Sequence, residues 1–268
     1  MRIRLWNFII VIKKRPFFAS VETKSSCPNK IVDDSWYSDD YELFKMKMGP
    51  NSEFPLLKNY PCLNDKKDEC GAIRSPYFAQ DLFVARKIFN SNPEKHVDVG
   101  SSLYGFVSHV AAFRSIEVFD IRPMTLSYQN IIFKQADITD PMSTTIDYCD
   151  SVSSLHALEH FGLGRYGDKI DPDGHLKGFA QITRILKSGG TFYFSVPMGV
   201  QRIEFNAHRI FGMPYLMNWV TRDYSIASFA YVDDNCVLHE DAPLSIENIK
   251  TSFGCNHGCA IFELIKNH

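Results

Sequence analysis

The sequence predicts an α/β fold with an open, mostly parallel central sheet and flanking helices. Three observations carry this prediction. From Pro76 onward, short strand-like apolar runs alternate with apolar residues at helical spacing, the pattern of βα units. A glycine, Gly100, stands directly after the first of these strands. The next two strands close on carboxylates, Asp120 and Asp137.

Each element has its own justification. Phe78, Leu82, Ala85 and Phe89 recur at helical spacing, so 77–90 reads as an amphipathic helix. His96 to Val99 is a short strand running into Gly100, and Tyr104 to Phe113 is helical in pattern. Ile116 to Asp120 and Ile131 to Asp137 are the second and third strands. Tyr148 to Ser153 leads into a fourth, followed by a turn or short helix around His156 to Phe161. Leu176, Phe179, Ile182, Ile185 and Leu186 fit a helix between Gly174 and Leu186. Gly189-Gly190 reads as a turn before a strong strand, Thr191 to Val196. Ile226 to Val232 and Ala260 to Lys266 are final strands, with a polar, loop-like stretch from Asp233 to Leu244 between them. Strands joined through helices imply parallel pairing with right-handed crossovers.

Residues 1–75 lack this alternation and are punctuated by proline, so they read as an extension laid over a main domain of 76–268. Trp36 to Met48 is a short helix within it. Leu5 to Ile12 is an apolar run between Arg2, Arg4 and Lys13-Lys14-Arg15. It is too short to span a bilayer as an ordinary helix, and suits a signal-peptide core, an interfacial anchor or a buried element. No clean small-residue cleavage pattern follows it, and the chain has no Asn-x-Ser/Thr acceptor. Weak membrane association through residues 5–12 is therefore one expectation, and the location stays open between cytoplasm and secretory pathway.

Composition narrows the function classes. The 268 residues carry 29 basic and 31 acidic side chains, a formal charge of −2. That balance offers no general attraction to a nucleic-acid backbone, so no nucleic-acid partner is expected. The seven cysteines are an odd number, so at least one is unpaired in a monomer. Cys255-x-x-x-Cys259 encloses His257, but no second compact pair lies near it to complete a zinc site. A Cys62–Cys70 disulfide would require an oxidising compartment. The oligomeric state is not fixed by the sequence.

Ligands of open α/β sheets sit beyond the carboxyl ends of the strands, where the strand order reverses. Asp98-Val99-Gly100-Ser101-Ser102-Leu103-Tyr104-Gly105 is such an end, where glycine admits a ligand to the backbone. A dinucleotide fingerprint would place glycine at its third position, which here is Ser102. Asp120 is placed to accept from both hydroxyls of a ribose. Asp137 and Ile138 are placed to meet an adenine amine or ring edge.

Val97 to Pro197 resembles the core of the class I S-adenosylmethionine-dependent methyltransferases. The resemblance rests on Asp98-Val99-Gly100, on Asp120 and Asp137, on Ser154-Leu-His-Ala-Leu-Glu-His160 after the fourth strand, and on Arg184-Ile-Leu-Lys-Ser-Gly-Gly190. Ser188 stands where the family usually has proline. Within the superfamily, Gly162-Leu-Gly-Arg-Tyr-Gly-Asp168 with Asp171-Pro172 resembles the DUF268 branch of nematode and bacterial proteins. The resemblance implies a Rossmann-like class I methyltransferase fold with S-adenosyl-L-methionine as cofactor. Asp98, Gly100, Ser101, Gly105, Asp120, Asp137, Ile138 and Ser154 are its expected cofactor residues. Bacterial members of the branch look like parts of surface-polysaccharide pathways, which points to a saccharide or other small-molecule acceptor.

A hydroxyl acceptor benefits from a base that removes its proton. His160 is the first candidate, because imidazole titrates near neutrality. His156 lies one turn earlier, and Glu159 is placed to orient a histidine or touch the cofactor. Asp168 is a further catalytic candidate, able with His160 to bind a divalent ion, though no metal dependence is favoured. Arg165, Asp171 and Asp173 share its loop, and His208-Arg209 with the aromatics through Trp219 reads either as an acceptor lid or as packing. A binding protein without catalysis is the main alternative. A nicotinamide oxidoreductase or a glycosyltransferase is more remote.

Overall fold

The computed structural model describes residues 35–48, 52, 54–57, 59–63, 65–67, 70, 75–140 and 145–268. The apolar segment 5–12, and Cys27, lie outside them. The chain divides into two units, Met1–Ala72 and Ile73–His268. In the first, helix α1 spans Ser35–Met48, and Lys66 lies 4.1 Å from the centre of the Trp36 ring and 3.0 Å from Asp40. Cys62 and Cys70 are free, exposed thiols. No helix among the described residues is long and apolar enough to cross a membrane.

The second unit is built on one large sheet. Helix α2 spans Pro76–Ser91, with the Ser75 hydroxyl accepting from the Tyr77 amide and proline at its first position. Strand β1 is His96–Val99. A π-turn over Leu103–Val107 leads to the short α3, Ser108–Ala111, in place of one regular helix over 104–113. Strands β2 (Ile116–Asp120), β3 (Ile131–Gln135) and β4 (Cys149–Leu155) follow. Then come α4 (Gly174–Ile185) and β5 (Leu186–Met198). A hairpin of β6 (Arg202–Glu204) and β7 (His208–Ile210) precedes α5 (Met213–Val220). The chain finishes with β8 (Tyr224–Val232), β9 (Leu238–His239), α6 (Ile246–Thr251) and β10 (Gly258–Lys266).

The strand order is β3-β2-β1-β4-β5-β10-β8-β9. The pairs β3-β2, β2-β1, β1-β4 and β4-β5 are parallel, and β10 joins β5 and β8 antiparallel. The order reverses between β1 and β4, which makes that junction the switch point of the sheet. Helices cover both faces. Phe83, Val84 and Ile88 of α2 pack with Phe106 and Val110 on one. Phe179 and Ile182 of α4 pack with Leu216 and Trp219 of α5 on the other. This double cover explains why β1 reads as an unbroken buried run, whereas the edge strand β3 keeps Ile132 exposed.

Three boundaries differ from the sequence reading. Gly189-Gly190 is not a turn before the strand. The strand is continuous from Leu186, and Gly189 takes φ +74° where the pairing slips between Cys149 and Ser151. Such a slip needs a residue free to adopt the left-handed region. Asp137 lies beyond β3, in a turn that its own carboxylate organises by accepting from the Thr139 amide and hydroxyl. The stretch 233–244 contains β9, which pairs with β8.

Phe179 ties the second face together. Its ring lies within 5.6 Å, centre to centre, of Phe192, Phe194 and Tyr224, and 4.5 Å from Trp219. Phe179→Ala should cost about 3–5 kcal/mol in urea unfolding, as full truncation of a core phenylalanine does. A loss below about 1 kcal/mol would show that this cluster is not the core of that face.

Candidate active site

The site grows from the end of β1. Asp98 is fully buried, and its carboxylate accepts from the Ser101 amide (3.0 Å), the Ser101 hydroxyl (2.6 Å) and the Ser153 hydroxyl (2.6 Å). Burial pushes its pKa up to about 6 despite these bonds. Ser153 also lies 3.1 Å from His96 Nε2, and Ser151 lies 2.8 Å from Nδ1 of the same ring. Burial lowers that imidazole to about 3, so it is neutral across the physiological range. The Ser101 hydroxyl in turn accepts from the Leu155 amide. One carboxylate thus fastens the loop after β1 to the end of β4.

Above this network lies a cavity of about 400 Å³, within the usual range of small-molecule sites. Its walls come from the carboxyl ends of β1 to β4: Gly100, Asp120, Asp137 with Ile138, and His156, Ala157, His160, Phe161 and Gly162. Gly100 has φ +73°, and a Cβ there would stand 3.0 Å from that of Ala157. Only glycine brings the backbone so close at this floor. Asp120 closes β2, and Arg122 folds back onto it through its amide and guanidinium. The Arg122 guanidinium also lies 4.5 Å from the centre of the Tyr166 ring.

The loop after β4 carries the titratable groups. His156 has φ +50°, a strained value for a side-chain-bearing residue. Its Nδ1 is 3.0 Å from Glu159, and its ring meets that of Tyr77 edge-on at 4.7 Å. Burial opposes charge on His156, but Cys259 and Glu159 outweigh it and hold the imidazole well above its ordinary value. Glu159 is also buried, and there His156 and His160 outweigh burial and hold the carboxyl below its usual range. His160 donates Nδ1–H to the Ala207 carbonyl at 2.7 Å, leaving Nε2 as the basic nitrogen, 3.6 Å from Glu159. Burial lowers the pKa of His160, so it is neutral near pH 7.

Of the residues singled out in the sequence, Gly100, Asp120, Asp137, Ile138, His156, His160 and Asp168 line one cavity. Five other expected residues stand behind its wall. Asp98 and Ser101 are spent on each other, and Ser154, fully buried, donates to the Val99 carbonyl. Gly105 packs so closely that a Cβ would meet Asp81 at 2.2 Å. Glu159 is enclosed by the two histidines. Asp168, on the cavity wall, also has a structural task. Its oxygens accept from the amides of Gly162, Gly164 and Tyr166, so it organises the loop. Among the described residues no group of three or more histidine, cysteine or acidic side chains is arranged to hold a metal ion.

Arg209 is also corrected, because it does not sit in a lid. It is buried and donates to the carbonyls of Glu159, Phe161 and Pro172. Phe211 and Trp219 are buried in the core, which settles them as packing residues. Arg122 and Tyr166 were missed as wall residues. The available signal was a cation two positions after the strand-ending Asp120, close enough to fold back onto it.

Comparisons with known proteins gave the following similarities. The profile of a family described as "Caenorhabditis protein of unknown function, DUF268" matches residues 115–241, just under half of the chain. No curated protein matches. Among solved structures, a Burkholderia thailandensis 1,6-didemethyltoxoflavin-N1-methyltransferase with bound S-adenosylhomocysteine is 13% identical with a TM-score of 0.49, covering 71% of this chain and 80% of that one. The N-methyltransferase NodS of Bradyrhizobium japonicum, also with S-adenosylhomocysteine, is 12% identical with a TM-score of 0.47, covering 73% and 90%. The sheet order and its switch point give this chain the Rossmann-like class I methyltransferase fold. That fold hosts many chemistries, so the reaction must be argued from the site.

The raised pKa of Asp98 has a measurable consequence. Below about pH 4 folded and unfolded chains both carry its proton, and above about pH 6 neither does. Between these limits the folded chain holds the proton more tightly, so its contribution to stability falls as pH rises. The stability of wild type relative to Asp98→Asn should therefore decrease from pH 4 to pH 6, by up to about 3 kcal/mol. Urea unfolding at a series of pH values measures it, and an increase over that window would contradict the assignment.

Proposed function

We propose that this chain is an S-adenosylmethionine-dependent methyltransferase acting on a hydroxyl, with a saccharide as the acceptor class. The observation that carries the reading is the cavity at the switch point, which brings Gly100, Asp120, Asp137 and His160 to one space. The residues present fit the cofactor. Gly100 leaves a floor without a side chain, Asp120 presents a carboxylate for a ribose diol, and Asp137 with Ile138 forms the wall suited to adenine. Tyr166 and Phe161 add apolar surface to the same space.

When bound, the cofactor supplies a sulfonium methyl group for in-line displacement. The chain's own work is to hold the acceptor and take its proton. The Ala207 carbonyl fixes His160 with Nδ1 protonated, so Nε2 is the atom that receives the hydroxyl proton. Glu159 lies beside that Nε2 and favours the imidazolium once formed. The saccharide preference is supported by the branch resemblance of Gly162 to Asp168 with Asp171-Pro172, and the match to the DUF268 profile, residues 115–241, includes that segment.

Calorimetric titration with S-adenosylmethionine and S-adenosylhomocysteine tests the cofactor, with NAD and nucleotide sugars as controls. Saturable binding of the first two, weakened by Asp120→Ala, is expected. No binding by folded protein would remove the basis of the assignment. Once a saccharide substrate is found, His160→Gln should retain cofactor binding and lower turnover by about 10²–10⁴-fold. Because burial depresses the His160 pKa, turnover should be flat through pH 7 and fall only below the ordinary imidazole range. A rate that rose as His160 became protonated would exclude it as the base.

A further inference from the structure

We propose that Arg122 sets the affinity of this site for a ribose diol by competing with it for the Asp120 carboxylate. The inference rests on the cofactor reading above. Asp120 Oδ1 accepts from the Arg122 amide at 2.8 Å and from its Nε at 2.9 Å, and Oδ2 accepts from Nη2 at 2.5 Å. A cis-diol needs an acceptor site on a carboxylate that this fork already engages through both oxygens. The two side chains are not equally free to yield. Asp120 is 13% exposed and fixed at the end of β2, while Arg122 is 49% exposed. The guanidinium is therefore the group that moves aside when a diol arrives.

Tyr166 holds the competing pose. Its ring lies under the Arg122 guanidinium at 4.5 Å, and its amide is fixed by Asp168 at 3.2 Å. Asp120, Arg122 and Tyr166 all line the same cavity, so the ion pair lies inside the binding space. A ligand must displace the fork before Asp120 can receive both hydroxyls, and apparent affinity falls by the fraction of chains in which the fork is closed.

The test measures binding rather than turnover. S-adenosylhomocysteine, adenosine and 2′,3′-dideoxyadenosine are titrated into wild type, Arg122→Ala and Arg122→Gln, with thermal melting to verify that each variant is folded. Both variants should bind S-adenosylhomocysteine and adenosine about two- to fivefold more tightly than wild type, the range for releasing a half-exposed ion pair. Dideoxyadenosine, which has no diol to offer Asp120, should show no such gain. Raising salt from about 50 to about 500 mM should strengthen adenosine binding to wild type, by screening the pair, and leave Arg122→Ala unchanged. Weaker or equal S-adenosylhomocysteine binding by the variants would overturn the inference while leaving the cofactor reading intact. An equal gain for dideoxyadenosine would overturn it too. Absence of binding by wild type and both variants would overturn the cofactor reading, and this inference with it.

Discussion

A carboxylate buried at the centre of a parallel sheet must be satisfied, and much of this site follows from how Asp98 is satisfied. Its three donors come from two chain segments, the loop after β1 and strand β4. Those segments flank the switch point, the place where neighbouring loops diverge and leave a crevice. The bonds hold the crevice open at its base and fix Gly100 against Ala157. His96 extends the network one hydroxyl further without adding charge, because burial keeps its ring neutral. The polar groups beneath the cavity are thereby paired among themselves, and the cavity wall is left to Asp120, Asp137 and the histidines.

The loop after β4 is held by a different economy. It has little regular structure, only a short helical turn over Leu158–His160. In its place, the Asp168 carboxylate gathers three amides and the Arg209 guanidinium gathers three carbonyls. These side chains take the place of a ladder or helix for backbone groups that would otherwise be buried unpaired. Gly162 fits between them at φ +80°, so close to the Asp171 carbonyl that no side chain could be added. The loop is therefore rigid for reasons of hydrogen bonding, and it carries His156, Glu159 and His160 in fixed relation.

Much of this was legible in the sequence. Periodicity located α2, α4 and the five parallel strands, because elements buried on one or both faces write their burial into spacing. Gly100, Asp120 and Asp137, singled out in the sequence, all reach the cavity wall, although Asp137 lies in the turn beyond β3 rather than at its end. Other features were not legible. Asp98, Ser101 and Ser154 matched the expected pattern, yet their side chains face the protein, since a residue type does not reveal which side of a loop it serves. Asp168 has the composition of a ligand-binding residue and the geometry of a loop staple. Arg209 acts through carbonyls distant in sequence, and backbone acceptors leave no mark on residue identity. Arg122 was overlooked because its meaning depends on a fold-back over two residues that periodicity does not address.

The hairpin of β6 and β7 contributes at both ends of the His160 environment. Its turn offers the Ala207 carbonyl to the imidazole, and its second strand sends Arg209 beneath the loop on which that imidazole rides. Orientation of the ring and rigidity of its platform thus come from the same short ribbon. The tautomer is lent to the loop by a neighbouring segment: the same imidazole without the ribbon would lack the carbonyl that defines its proton.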